Sequence, residues 1–221
     1  MFTTTTITIF YLIVLIFSVM IHELAHGYVA YSLGDPTAKY AGRLTLNPLK
    51  HLDLFGSIIL PLLFLFLSLL PGGQPFIFGW AKPVPINPYN FKDQKWGTLK
   101  VSIAGPASNF CVAIIFGLFI RFFSFPQIEP LIELMGVVVY LNILLGLFNL
   151  IPIPPLDGSW ILFRFLPGGP SGSAERVRIF LQQYGLFILI FLLFSGALYW
   201  VYFIINLLFY LLTGGSSMPS F

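Results

Sequence analysis

His22, Glu23 and His26 are the residues of this chain best suited to chemistry. On a helix, positions i and i+4 share a face one turn apart. The two imidazoles can therefore offer nitrogens to one metal ion, with Glu23 beside them. Two such ligands and a neighbouring carboxylate form the HExxH arrangement, in which the metal polarises a carbonyl and the carboxylate takes a proton from the attacking water. The bare five-residue pattern recurs by chance in soluble helices. Here it lies in an apolar run from Ile7 to Leu33, where ionisable side chains are costly and read as functional. The bland alternative is a polar cluster at a helix end, because Gly34-Asp35-Pro36 follows.

A catalytic zinc takes three protein ligands and keeps one position open. His51 is the remaining histidine, and the remaining acids are Asp35, Asp53, Asp93, Glu129, Glu133, Asp157 and Glu175. Most of these sit in polar connections, where a solvated carboxylate is the ordinary reading. Asp157 differs. It follows Pro152-Ile153-Pro154-Pro155, which cannot continue a helix, and irregular backbone at membrane depth must line a cavity. Asp157 is the preferred third ligand, ahead of His51 and Asp53, which also fit a polar turn headed by Asn47-Pro48. Asn149 reads either as a helix-packing donor or as a donor to substrate or oxyanion. Asn109 reads as structural, and Trp80 and Trp96 as interface anchors.

The elements that must position these groups follow from composition. Of 221 residues, 57% are hydrophobic and 9% charged, with mean hydropathy +0.91; a soluble domain is about 25% charged. The chain is expected to be an all-α polytopic membrane protein. It should have four to six membrane segments, one of them re-entrant, plus a short membrane-associated β-strand region. One integral-membrane domain should cover residues 1–221, with a core at about 7–165. The net charge of +3 is spread over loops, which suits topology signals and lipid headgroups and excludes nucleic acid as a partner. Cys111 is alone, which excludes a disulfide framework and a cysteine zinc site. With no basic leader region or cleavage site, the N-terminus is expected to be a retained span.

Clear spans are predicted at Ile7–Leu33, Leu99–Phe123 and Leu131–Leu150. Gly56–Leu70 is short for a crossing and contains Pro61, which suggests a re-entrant hairpin. Phe76–Ile86 reads as extended, its prolines restricting it to an edge strand. Residues 181–212 form one long helix or a hairpin broken near Ser195-Gly196. If Gly56–Leu70 is re-entrant, ten of the eleven basic residues fall on one side, all but Arg121. The positive-inside rule makes that side cytoplasmic. The N-terminus is then outside, with the histidines nearer the cytoplasm.

These motifs together resemble the site-2 protease family of intramembrane zinc metalloproteases. Three elements match in order: His22-Glu23-Leu24-Ala25-His26-Gly27, Gly105-Pro106-Ala107-Ser108-Asn109, and Asn149 through the prolines to Leu156-Asp157-Gly158. The resemblance covers roughly residues 10–165. It implies one Zn2+ per chain held by His22, His26 and Asp157, with Glu23 as general base and Asn149 near the substrate. It also implies a strand at Phe78–Ile86 beside the site, making Gly79, Trp80 and Val84 candidate substrate or oxyanion contacts. The Asn47–Asp53 and Gly79–Pro85 stretches look like a compact prokaryotic branch without PDZ or CBS domain. The activity implied is hydrolysis of peptide bonds within or near transmembrane segments of other proteins, in a plasma or inner membrane. An extended edge at Phe78–Ile86 would hold the unwound substrate by strand addition. The substrate's identity and the oligomeric state are not legible.

Three other readings compete. A membrane metal carrier or sensor would use the histidines and Asp157 but has no need of Glu23. An inactive helix-binding relative would not keep Glu23. A different membrane zincin would draw a glutamate ligand, for which Glu133 is the candidate.

Overall fold

The computed structural model describes residues 4–59, 82–123, 125–166 and 173–215, with residues 63 and 66. Its helices are α1 (Thr4–Ser32), a single-turn α2 (Thr37–Tyr40), α3 (Gly97–Phe123), α4 (Glu129–Asn149), α5 (Asp157–Phe165), α6 (Ser173–Phe194) and α7 (Tyr199–Thr213). Ile9–Ser32, Gly97–Phe123, Glu129–Asn149 and Ala174–Phe194 are long and apolar enough to cross a membrane. Hydrocarbon offers the backbone no hydrogen-bond partners, so these β-branched and aromatic runs close their bonds internally as helices. Among the described residues there is no strand.

The bundle is built on α3. His22 and His26 of α1 meet Asn109 and Val101 of α3 in reverse order, so these helices are antiparallel. Val14 of α1 packs on Val137 and Leu141 of α4, and Ser18 meets Asn142, so α1 and α4 run parallel in direct contact, and each also packs against α3. The prolines after α4 end it as expected, and Asp157 starts α5.

The C-terminal stretch does break at Ser195-Gly196, where Gly196 takes φ +74°. Leu198 then packs on Ile151, Leu156 and Leu189. The next helix does not stay with α6. Val201, Ile205 and Phe209 of α7 join Ala113, Ile120, Val139 and Ile143 of α3 and α4. The expected re-entrant segment Gly56–Leu70 lies largely outside the described residues; a π-helical turn at Leu54–Ile59 overlaps its first residues.

The two basic connections meet at one end of the bundle. Lys92 N–H donates to Leu33 O (2.8 Å), and Lys82 N–H to His51 O (2.9 Å). Arg164 lies over the Trp96 ring (4.2 Å) and Arg178 over the Phe163 ring (5.5 Å) at this same end. Arg121 lies at the other end and donates to Leu211 O (2.9 Å).

Asp35 is not a solvated loop acid. It is fully buried and accepts from Asn87 N–H (2.7 Å), Asn90 Nδ2 (2.8 Å) and both donors of Thr37, tying the end of α1 to the segment before α3. Burial raises its pKa, but the hydrogen bonds from Thr37, Asn90 and Asn87 outweigh this and hold the carboxyl below its usual range. A pKa lowered by folding stabilises above the unfolded value of about 3.9, and that share is lost as pH falls through the folded value. Asp35→Ala strands several donors and is expected to cost about 3 kcal/mol. Thermal unfolding in detergent checks this; an unchanged midpoint would show that the carboxylate holds nothing.

Candidate metal centre

The site is built where α1, α3 and the start of α5 converge. His22 and His26 project from α1 one turn apart, their Nε2 atoms 3.0 Å from each other. Asp157 Oδ2 lies 3.1 Å from His22 Nε2 and 3.2 Å from His26 Nε2. Among the described residues this is the one grouping of histidine, cysteine or acid side chains placed to hold a metal ion.

The far nitrogen of each ring fixes its orientation. His22 Nδ1–H donates to Asn109 Oδ1 (2.6 Å), and His26 Nδ1–H to the Val101 carbonyl (2.7 Å). In the neutral rings both Nε2 atoms are then bare lone pairs. They face Asp157 Oδ2, a buried oxygen with no hydrogen-bond partner. Three acceptors converging without a proton between them repel, and a cation at their centre resolves the conflict. Their spacing fits: a tetrahedral ion with bonds of about 2.0–2.1 Å has ligand–ligand edges of about 3.3 Å. Donors on the remote ring nitrogens are also the usual companions of histidine ligands.

Asn109 belongs to a buried polar network. Its Nδ2 donates to Asn142 Oδ1 (2.9 Å) and Ser18 O (3.3 Å), while Asn142 Nδ2 donates to Ser18 Oγ (2.9 Å) and Val138 O (2.9 Å). Sequence reasoning missed Asn142. Its signal was a lone amide inside the apolar run Val137–Gly146.

Gly105 lets α3 come this close. A Cβ there would meet His26 Nε2, and would lie 2.5 Å from His22 Nε2. Gly105→Ala therefore pushes on the donor atoms themselves. It is expected to lower metal affinity by more than the about 10–100-fold typical of changes around a metal's ligands. Titration of apo-protein with zinc measures this, and wild-type affinity would contradict the geometry.

Glu23 is half-buried beside the histidines, and its Oε2 accepts the Val84 N–H (2.8 Å). Among the described residues no hydrogen bond reaches Oε1. Val84, a candidate substrate contact, thus spends its amide within the chain. Lys82–Ile86 is described without strand pairing, and the Lys82 and Pro83 carbonyls accept from Arg43 Nη2 (2.7 and 3.2 Å). Little of this part of the expected strand is left for pairing. Gly79 and Trp80 lie outside the described residues.

Of the other candidates, His51, Asp53 and Glu133 are not in the grouping of converging donors. Asn149 Nδ2 donates to Leu145 O of its own helix (3.0 Å). His51 is buried in a turn, with Nε2–H donating to Thr45 O (2.9 Å), and Asp53 Oδ1 accepts the Phe55 and Gly56 amides. Glu133 lies nine residues before Asn142 on α4, toward the opposite end of the bundle.

The sequence profile of peptidase family M50 matches residues 124–192, a stretch holding Asp157 but not the histidines. YwhC of Bacillus subtilis is 41% identical over 187 residues, covering 81% of this chain and 78% of its own length. Rip2 of Mycolicibacterium smegmatis is 28% identical over 218 residues, covering 92% of this chain and 77% of its own. MJ0392 of Methanocaldococcus jannaschii is 30% identical over 151 residues, covering 68% of this chain and 32% of its own. The words zinc metalloprotease stand in the name of each. No solved structure matches the chain.

Proposed function

The chain belongs to peptidase family M50, the site-2 proteases, and from this membership we propose that it is a zinc endopeptidase cutting other membrane proteins within or near their transmembrane helices. The observation that carries this reading is the convergence of His22, His26 and Asp157 beside Glu23, in the second half of a membrane-spanning helix. We place the site nearer the cytoplasmic face of a prokaryotic plasma membrane, because the basic residues gather at the end of the bundle toward which α1 runs.

In this reading His22, His26 and Asp157 would hold the metal. Zinc bound there would supply Lewis acidity and make the attacking water easier to deprotonate. Glu23 takes the proton from the attacking water and returns it to the leaving amine. Asn109 and the Val101 carbonyl keep both imidazoles in the tautomer that leaves Nε2 unprotonated. Asp157 is held at the start of α5, where the proline-broken backbone turns it toward α1. A rival role as metal carrier leaves the placement of Glu23 without a use.

A peptide bond inside a helix is shielded by its own turn, so the substrate must unwind locally. Replacing helix-destabilising residues around the cleavage site with Leu is expected to slow cleavage at least about tenfold, since a Gly costs a helix about 1 kcal/mol and a Pro about 3 kcal/mol. An unchanged rate would remove the unwinding step. The function itself is tested with a single-span membrane substrate in proteoliposomes. Cleavage that stops on chelation and returns with zinc supports the reading; no cleavage by zinc-loaded protein across a panel of such substrates would overturn it.

A further inference from the structure

Resting on the peptidase reading above, we propose that Arg43 is a positioning residue for Glu23, acting through the single peptide group that joins Pro83 to Val84. The carbonyl of that peptide accepts from Arg43 Nη2 (3.2 Å), and its N–H donates to Glu23 Oε2 (2.8 Å). The carbonyl and the N–H belong to one planar peptide unit. In a trans peptide the C=O and N–H point in opposite directions, so the guanidinium and the carboxylate sit at the two ends of one dipole. A cation at the oxygen end polarises the group and makes the N–H a stronger donor. Glu23 is thereby held by Oε2, leaving Oε1 toward the reacting water.

The surroundings of Arg43 agree with this role. It is 7% exposed, and among the described residues no carboxylate forms an ion pair with it. A buried cation without a counter-ion is costly, and the hydrogen bonds of Nη2 go to the Lys82 and Pro83 carbonyls. The segment it grips is stiff. Pro83 and Pro85 flank Val84, fixing their own φ and restricting the residues before them. In Pro83-Val84-Pro85 only Val84 has an N–H to give. The Val84 side chain is buried and lies where a Cβ on Gly27 would meet its Cγ1 at 3.0 Å, so α1 can lie close beneath it. The Lys82 N–H bond to His51 O anchors the other end.

The test compares Val84→Pro, which deletes the N–H, with Val84→Ala, which keeps it, and Arg43→Ala with Arg43→Lys. Cleavage, zinc content and hydrogen exchange of the Val84 amide are measured on zinc-loaded protein. Val84→Pro and Arg43→Ala are expected to lower kcat about 10–100-fold with KM and zinc content unchanged. Val84→Ala should keep most of the kcat that Val84→Pro loses, and Arg43→Lys should recover part of the loss. The Val84 amide should exchange slowly in wild type and faster in Arg43→Ala. Wild-type kcat in Arg43→Ala, equal damage from Val84→Ala and Val84→Pro, or zinc loss in Arg43→Lys would each overturn the proposal. If wild type cuts and Arg43→Ala cuts equally well, this proposal alone fails; if wild type does not cut, the peptidase reading fails and takes this one with it.

Discussion

Glu23→Gln is expected to abolish peptide hydrolysis while zinc stays bound. The amide has the shape of the carboxylate, and its Oε1 can still accept the Val84 N–H, so the Lys82–Ile86 segment keeps its place. What disappears is the ability to take a proton. A positioned general base is worth about 10²–10⁴-fold in rate, which corresponds to about 3–5 kcal/mol of barrier. Glu23 is not one of the three converging donors, so zinc content should remain that of wild type. Single-turnover cleavage of a membrane substrate, with metal analysis of the same preparation, decides the matter. A variant that cuts within tenfold of wild type would remove Glu23 from the base role.

Asp157→Ala is expected to lose both metal and activity. It leaves two imidazole nitrogens 3.0 Å apart, whereas a catalytic zinc takes three protein ligands. Outer-sphere changes around a zinc site cost about 10–100-fold in affinity, and removal of a direct ligand should cost more. The protein should still fold, because the substitution also relieves an unpartnered buried oxygen facing two lone pairs. His51→Ala and Asp53→Ala are the controls, since these residues serve a turn and a helix start. Zinc content across the three variants measures the assignment. Retention of zinc by Asp157→Ala together with its loss from His51→Ala would transfer the third ligand to His51.

Much of this was legible in the chain, and the reason is local. Hydropathy runs marked the first three spans to within a few residues, because hydrocarbon forces each such run to satisfy its own backbone. The spacing of His22 and His26 put them on one face, because helical periodicity is a property of the backbone alone. Asp157 could be singled out because three prolines in four positions must break a helix wherever they occur. A break near Ser195-Gly196 was visible too, but not that α7 would pack on α3 and α4.

The rest came from contacts between residues far apart in sequence. Val84 reaches Glu23 across 61 positions and Asn142 reaches Ser18 across 124. A lone amide in an apolar run gives the same signal whether it packs a helix or meets a substrate. Asn149 was weighed for both, and its Nδ2 bonds its own helix, while Asn142 completes the network behind His22. Asp35 and Arg43 read as ordinary loop charges until Lys82–Asn90 closed over them and buried them. The sequence by itself determined which residues could bind metal and that they lie in a membrane. Only the packing of α1, α3 and α5 decided that three of them meet, because a ligand sphere about 3 Å across is set by interhelical distance, and here by the missing side chain at Gly105.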